Sequence, residues 1–376
     1  MTAKLTKVHV AGFRSLREVT LDLTPVTLLI GPNGSGKSNL LSVLRMVPLM
    51  RTQSLRRFVG EQGGASALLH YGASITRVLE IGLDFDTGPD GGRSGYCASL
   101  GYAAGDTLVF LDEAVSSRVS PEGETLSVCL GEGHSESLLA ARAQQPDATT
   151  ERVVNDLIAR MSFFHFHDTS PTSPLRQNAR RADDRYLRSD GSNLAAFLYR
   201  LRASESDQVR PAWNRISGLV RRIAPFIKNL EPGPVAPENP DSPVRLYWSD
   251  ERDHRFDVHD LSDGTLRAIA LIAALAQPVD SLPGFITIDE PELGLHPAAL
   301  SLVAALVESV SKRCQVLLST QSPALLDEFS PGEVVVTERR GGETGFRRLS
   351  AEALAGWLED YSLSELYEKN VLGGQP

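Results

Sequence analysis

The sequence predicts an α/β fold organised around a phosphate-binding loop, and three observations predict it. The octet Gly31-Pro32-Asn33-Gly34-Ser35-Gly36-Lys37-Ser38 directly follows the apolar run Val26-Thr27-Leu28-Leu29-Ile30 and leads into a Leu-, Val- and Met-rich segment, Asn39 to Met50. Gly284-Phe285-Ile286-Thr287-Ile288-Asp289-Glu290-Pro291 reads as a short buried strand ending in two carboxylates. Between them, Leu261-Ser262-Asp263-Gly264-Thr265 opens the alanine- and leucine-rich segment Leu266 to Ala276, which reads as a mostly buried helix.

Each element has a chemical reason. Strand, glycine-rich turn and helix form the context in which such an octet holds phosphate: backbone N–H groups turn inward around the β- and γ-phosphates, Lys37 brings a point charge, and the Ser38 hydroxyl is placed to ligate Mg²⁺. A nucleoside triphosphate is the expected ligand. An acidic pair after a strand is, alone, most simply a solvated loop. In a parallel sheet that also carries a phosphate loop, the strand end faces the same crevice, so Asp289 is expected at the Mg²⁺ shell and Glu290 as the base. A helix beginning at Gly264, capped by Ser262 or Asp263, presents free N–H groups to an anion, although a plain N-cap before a core helix is the simpler reading of that triplet alone.

Composition sets the outer bounds. At 376 residues the chain is long enough for a sizeable core and two lobes. No apolar stretch approaches the roughly 18 residues of a membrane span, and Met1 to His9 lacks a signal-peptide core, so a cytoplasmic location without membrane partners is expected. The formal charge of −9 argues against wholesale coating of nucleic acid while leaving room for a local basic groove. Cys97, Cys129 and Cys314 are far apart and read as buried reduced thiols.

Along the chain, Thr76 to Asp86, Gly95 to Ala103, Thr107 to Val115 and Thr125 to Leu130 alternate or run apolar between turn residues, which predicts an antiparallel β-lobe. Glu151 to Met161, Asn193 to Arg202 and Val209 to Ile227 have helical spacing and predict a helical lobe. A Pro-rich connector from Glu231 to Pro243 leads to a hairpin, Val244 to Trp248 with Arg255 to Val258. The expected division is 1–160 for the N-terminal half of the core with the β-lobe, 161–243 for the helical lobe and connector, and 244–376 for the C-terminal half. No repeat and no heptad run long enough for a coiled-coil arm is present.

Phosphate loop, L-S-x-G-x and Asp-Glu strand, in this order, resemble the ATP-binding-cassette (ABC) ATPase superfamily. Leu5 to Leu16, with Phe13-Arg14-Ser15, Asn33 within the loop and Asn39-Leu40-Leu41 behind it, resembles the RecF, SMC and Rad50-like branch. Glu290 to Pro297 and Ser319-Thr320-Gln321-Ser322-Pro323 are similar to the predicted bacterial AAA-type ATPases grouped with the OLD nucleases. The likeness covers nearly the whole chain and extends to Ser173-Pro174-Leu175-Arg176, Asp190 to Leu194 and Leu372-Gly373-Gly374.

The resemblance implies an ABC-type ATPase head that binds ATP and Mg²⁺ and forms a homodimer on ATP binding, each nucleotide lying between one copy's phosphate loop and the other's signature helix. It assigns Gly31, Pro32, Asn33, Gly34, Ser35, Gly36, Lys37 and Ser38 to the phosphates, with Asn39 and Arg14 beside them. Ser38 and Asp289 go to the metal, Lys37, Glu290 and Gln321 to catalysis, and Ser262, Asp263 and Gly264 close over the γ-phosphate in trans. Glu292 to His296 would be the D-loop along the dimer seam. DNA and a separate nuclease or toxin are the partners it implies, in DNA repair, DNA transactions or anti-phage defence.

Two departures bear on mechanism. Asp263 stands where transporters carry Gly; a carboxylate there repels phosphate unless it turns away, and a capping role is expected. Gln321 stands where transporters carry a switch histidine, and it can donate to phosphate but cannot carry a proton. His167, in His165-Phe166-His167, is a candidate for the glutamine loop; a metal reading of the two histidines lacks further ligands. Arg176, Arg180, Arg181, Arg185 and Arg188, and Arg51, Arg56 and Arg57, suit either phosphodiester contact or a solvated surface. After Gly332 to Leu349 only a short helical tail follows, and no nuclease site is found. The rival readings are a nucleotide-switched scaffold for a toxin or nuclease, a transporter ATP subunit and an autonomous nuclease.

Overall fold

Alternating apolar and polar residues make β1 (Lys4–Phe13) and β2 (Leu16–Asp22) an antiparallel pair, joined by a turn in which Arg14 takes a left-handed φ of 46°. The computed structural model describes residues 3–88, 91–120 and 122–374. It divides into one unit of Met1–Ser162, Gly284–Thr287 and Arg313–Pro376 and another of Phe163–Pro283 and Ile288–Lys312.

In the first unit β3 (Val26–Ile30) is buried at every position and is followed by α1 (Lys37–Arg51), α2 (Leu55–Glu61) and α3 (Ala65–Leu68). β4 (Val78–Asp86), β5 (Arg93–Ala103), β6 (Thr107–Arg118) and β7 (Leu126–Gly131) complete an antiparallel sheet of order β2-β1-β4-β5-β6-β7. Leu79, Ile81, Leu83 and Phe85 alternate inward along β4, the period-2 pattern of a half-buried strand. This is the expected β-lobe. Its core includes a carboxylate: buried Glu113 accepts from Tyr96 Oη at 2.8 Å, Ser137 Oγ at 2.5 Å and Leu138 N at 2.9 Å, so its burial is compensated. Cys97 on β5 and Cys129 on β7 correct the reading of buried thiols: both are exposed, and only Cys314 is buried.

α4 (Leu139–Arg142), α5 (Thr149–Ala159) and β8 (Met161–Phe164) follow. The helix expected to reach Met161 stops at Ala159, because Arg160 O accepts from Gly284 N and Phe285 N and the chain turns into a sheet edge.

The second unit contains α6 (Leu194–Ala203) and α7 (Arg210–Ile223), with Pro211 in the first turn of α7 where its missing N–H costs nothing. Short strands β9 (Asn229–Leu230), β10 (Gly233–Pro234), β11 (Val244–Arg245), β12 (Tyr247–Ser249) and β13 (Arg255–Asp257) form two small sheets, β13-β12-β9 and β10-β11. α8 (Asp263–Leu275), buried from Ala268 through Leu275, packs against α7 and α9 (Pro297–Ser311). Between α8 and α9, β14 (Phe285–Asp289) carries the chain from the first unit at Thr287 into the second at Ile288.

β15 (Gln315–Thr320), α10 (Pro323–Leu326), β16 (Val334–Arg340), β17 (Glu343–Arg348), α11 (Ala351–Leu354) and α12 (Leu363–Glu368) complete the chain. The core sheet runs β17-β16-β3-β15-β14-β8, with β3 parallel to both β15 and β16. Buried Gln315 ties the start of β15 to β1: Nε2 donates to Leu5 O at 2.7 Å and Thr24 O at 3.0 Å, while Oε1 accepts from Leu5 N. A parallel central strand leading into a glycine turn and a helix is the arrangement that aims backbone N–H groups at an anion.

Candidate functional site

The loop after β3 is held in a shape that only its glycines allow. Gly34 and Gly36 have φ of 77° and 112°. A Cβ on Gly36 would collide with the Thr344 side chain, and one on Gly31 would press on Thr337 O and lie 2.9 Å from Ser35 Oγ. Gly36 is also the N-cap of α1 and offers no side-chain acceptor, so the opening N–H groups of that helix have no cap other than the loop itself. Lys37 is buried, its ammonium folded back onto Gly31 O at 2.5 Å and Pro32 O at 3.1 Å. Ser35 Oγ is buried without a hydrogen-bond partner. A cradle that a Cβ would fill, an unpaired buried hydroxyl, an uncapped helix start and an ammonium at the same place fit a phosphate chain.

A relay of hydrogen bonds braces this loop. Asn39 Nδ2 donates to Ser15 Oγ at 2.7 Å, Ser15 meets Thr344 Oγ1 at 2.7 Å, and Thr344 Oγ1 donates to Ser35 O at 2.8 Å. Ser15 belongs to the Phe13-Arg14-Ser15 run but has no site role in the sequence reading, and Thr344 does not figure in it. Arg14, which was, directs Nη2 to Gln62 Oε1 at 2.7 Å, while His70 Nδ1 contacts its carbonyl. On β15, Thr320 pairs in register with Ile30, so Gln321 and Gly31 leave the sheet at the same edge.

The second unit assembles the other motifs. Ser262 is the N-cap of α8 and accepts from Thr265 N at 3.2 Å. Asp263 is therefore not the cap, as the sequence had suggested; it is the first helical residue, and its carboxylate accepts from Arg176 Nη2 at 2.8 Å. Arg176 is buried and also donates to the carbonyls of Thr169, Val258 and Leu261 at 2.9, 2.8 and 3.1 Å. It does not belong to a basic surface. In that stretch Arg188 pairs with Asp183 at 2.6 Å, and Arg181 and Arg185 lie over the rings of Tyr199 and Tyr186.

Gly264 permits a close backbone approach, since a Cβ there would strike Gly294 O in the segment 292–296. Arg267, one turn into α8, fastens three carbonyls: Phe166 O at 3.1 Å, His167 O at 2.6 Å and Leu293 O at 3.3 Å. His296 caps α9 by accepting Ala298 N on Nδ1, with Pro297 in the first turn. His167 Nε2 lies 3.1 Å from Asp289 O, and Glu290 leaves β14 with a φ of 46°, a conformation uncommon outside glycine. Ser262, Gly264, Thr265, Gly294, Leu295 and His296 line one side of a cavity of about 250 Å³.

Comparisons with known proteins agree on one family. A model described as AAA ATPase domain matches residues 4–53. An OLD nuclease of Thermus scotoductus is 24% identical over 342 residues, covering 86% of this chain but 60% of that protein, so the chain spans less than two thirds of this relative's length. A DNA replication and repair protein RecF of Parasynechococcus marenigrum is 38% identical over 87 residues, 22% of this chain and 24% of that protein. Among solved structures, the SMC head bound to the C-winged helix domain of ScpA superposes with a TM-score of 0.58 at 16% identity, covering 93% of this chain and 99% of that one. The Smc head with an extended coiled coil bound to the C-terminal domain of ScpA, derived from Pyrococcus furiosus, gives 0.57 at 16% identity, covering 95% and 99%. At such identity the likeness is one of fold. A further model, AAA domain, putative AbiEii toxin, Type IV TA system, matches residues 135–327, just over half of the chain; the chain belongs to that family and is a RecF/SMC/OLD-like ABC-type ATPase.

Proposed function

We propose that the chain hydrolyses ATP as a head-to-tail homodimer and couples that cycle to DNA repair, DNA transactions or anti-phage defence. The observation that carries this reading is the cradle at Gly31–Ser38, with its left-handed glycines, buried Lys37 and unpaired Ser35 hydroxyl. Gly31 to Ser38 wrap the phosphates, with Asn39 and Arg14 alongside. Ser38 and Asp289 offer the hard oxygen donors that suit Mg²⁺ and would hold it, and the ion would supply positive charge against the phosphates. Glu290 takes a proton from the attacking water, and Gln321 donates to the γ-phosphate. From the partner copy, Ser262 and Gly264 at the start of α8 close the site.

The relatives support the DNA connection: one is an OLD nuclease and another a DNA replication and repair protein. A separate nuclease or toxin is the proposed effector and the cytoplasm the proposed location; no described helix is long and apolar enough to cross a membrane. ATP turnover by the purified chain, with and without single-stranded and duplex DNA, tests the reading. Mg²⁺-dependent turnover that Lys37→Ala abolishes supports it. Full turnover in the Lys37→Ala protein would sink it.

A further inference from the structure

Arg221 and Arg222 close the last turn of α7, where a helix C-terminus favours cations, and they face different cavities. Arg221 lines one with Trp213 and Lys228. Arg222 lines the cavity of about 250 Å³ formed by Ser262, Gly264 and Thr265 of the signature segment and Gly294, Leu295 and His296 of the loop before α9. No carboxylate is among the residues lining it. Asp263, the nearest acid in sequence, is held by Arg176 instead. The Arg222 side chain is exposed and makes no hydrogen bond or ion pair with the described residues. The starts of α8 and α9 border the same space, so two helix N-termini and the Arg222 guanidinium line it together, and the α7 C-terminus supports that guanidinium.

We propose that Arg222 is a catalytic residue that acts in trans, its guanidinium contacting the γ-phosphoryl group held by the partner copy's phosphate loop. This rests on the head-to-tail ATPase reading given above. As the water oxygen bonds to the γ-phosphorus and the bond to the β-phosphate bridging oxygen breaks, ADP leaves with the electron pair and the water proton passes to Glu290. Negative charge then spreads over the three equatorial oxygens and the departing oxygen. A planar, permanently charged donor fork stabilises that distribution more than it stabilises bound ATP, so its effect falls on kcat.

The test is DNA-free ATP turnover by Arg222→Ala, Arg222→Lys and, as a matched control one position away, Arg221→Ala. The expected results are a kcat loss of about 10²-fold or more for Arg222→Ala, partial recovery for Arg222→Lys, and wild-type turnover for Arg221→Ala. Because the side chain is exposed and unpaired, the melting temperature should not move, and ATP binding to dilute single protomers should stay wild-type. Mixing Arg222→Ala with excess Lys37→Ala protein should restore turnover, since the intact phosphate loop then faces an intact Arg222. Wild-type kcat in Arg222→Ala, an equal loss in Arg221→Ala, or no restoration on mixing would each overturn the assignment. Should Lys37→Ala alone keep full turnover, the underlying ATPase reading fails instead, which separates the two failures.

Discussion

Arg176 Nη2 lies 2.8 Å from Asp263 Oδ1, and this pair explains how the start of α8 accommodates an acid one residue before Gly264. The arginine side chain is 6% exposed and the aspartate 62%, so the two ends contribute differently. The exposed carboxylate gains little from an ion pair screened by water. Losing the guanidinium, by contrast, strips three carbonyls of their donors. Asp263→Asn should therefore change stability by less than about 0.5 kcal/mol, whereas Arg176→Ala should cost about 2–4 kcal/mol. Denaturant unfolding of both variants checks this; equal costs would mean the pair acts as a simple salt bridge.

The relay from Asn39 through Ser15 and Thr344 to Ser35 O holds the phosphate loop from behind without filling the cradle. Thr344→Val keeps the shape and removes both hydroxyl contacts. ATP affinity should fall about tenfold, the equivalent of one or two lost hydrogen bonds. Gly36→Ala should do worse and abolish binding, because its φ of 112° and the nearby Thr344 side chain both exclude a methyl group. Titration with a fluorescent ATP analogue ranks them, and equal affinities in the two variants would count against the bracing role.

What could be read in advance was local. The loop Gly31 to Ser38 and the pair Asp289-Glu290 are contiguous patterns whose chemistry follows from residue type, and β4 announces itself by alternation while β5 to β7 are marked by the turn residues between them. What could not be read depends on partners distant along the chain. Arg176 looked like one arginine in a basic run, and nothing local marks it as the one that turns inward to meet Asp263, 87 positions on. Ser15 and Thr344 meet across 329 positions. Cys97 and Cys129 sit at outward positions of a sheet edge region whose face the pattern leaves open, so their exposure emerged only with the register Cys97↔Ala114↔Cys129.

Glu290 leaves β14 in a left-handed conformation, where a side chain that is not glycine is held only if the surroundings insist on it. Strain of this kind at a strand end fits a carboxylate aimed at a task. Glu290→Gln should retain ATP binding, lose turnover by about 10²-fold or more, and trap dimers in ATP that are absent in ADP. Light scattering in each nucleotide reads the mass directly. Unchanged turnover would favour the nucleotide-switched scaffold reading.

Burial pushes the Cys314 thiol up from 9.0 to about 12, with Arg160 and a backbone donor only partly opposing it. A group whose pKa is higher in the folded protein contributes full stability below its unfolded pKa and loses it as pH climbs toward the folded value. Stability should thus hold to about pH 9 and then fall by up to about 1.4 kcal/mol per pH unit from this group. Cys314→Ala should flatten that alkaline limb while costing some packing at neutral pH. A thiol reagent at pH 8 should modify Cys129 and, more slowly, Cys97, whose pKa burial and Asp112 both raise. Cys314 should react only after denaturation; its modification in the native protein would contradict the burial.

Gln321 follows β15 at the edge where Gly31 follows β3, since Thr320 and Ile30 are register partners. An amide at that place can donate one hydrogen bond to a γ-phosphate but holds no exchangeable charge, so turnover should show no imidazole-like ionisation near pH 6.5. Gln321→His introduces one. With the ring protonated below its pKa, a positive charge is added beside the phosphate, and turnover should change through pH 6–7 where the wild-type profile is flat. Gln321→Ala should lower kcat with little effect on ATP affinity, because the donor is needed most as charge builds on the phosphoryl oxygens. If Gln321→His reproduces both the wild-type rate and its flat profile, Gln321 does not touch the γ-phosphate and the sensing contact must come from another residue at that edge.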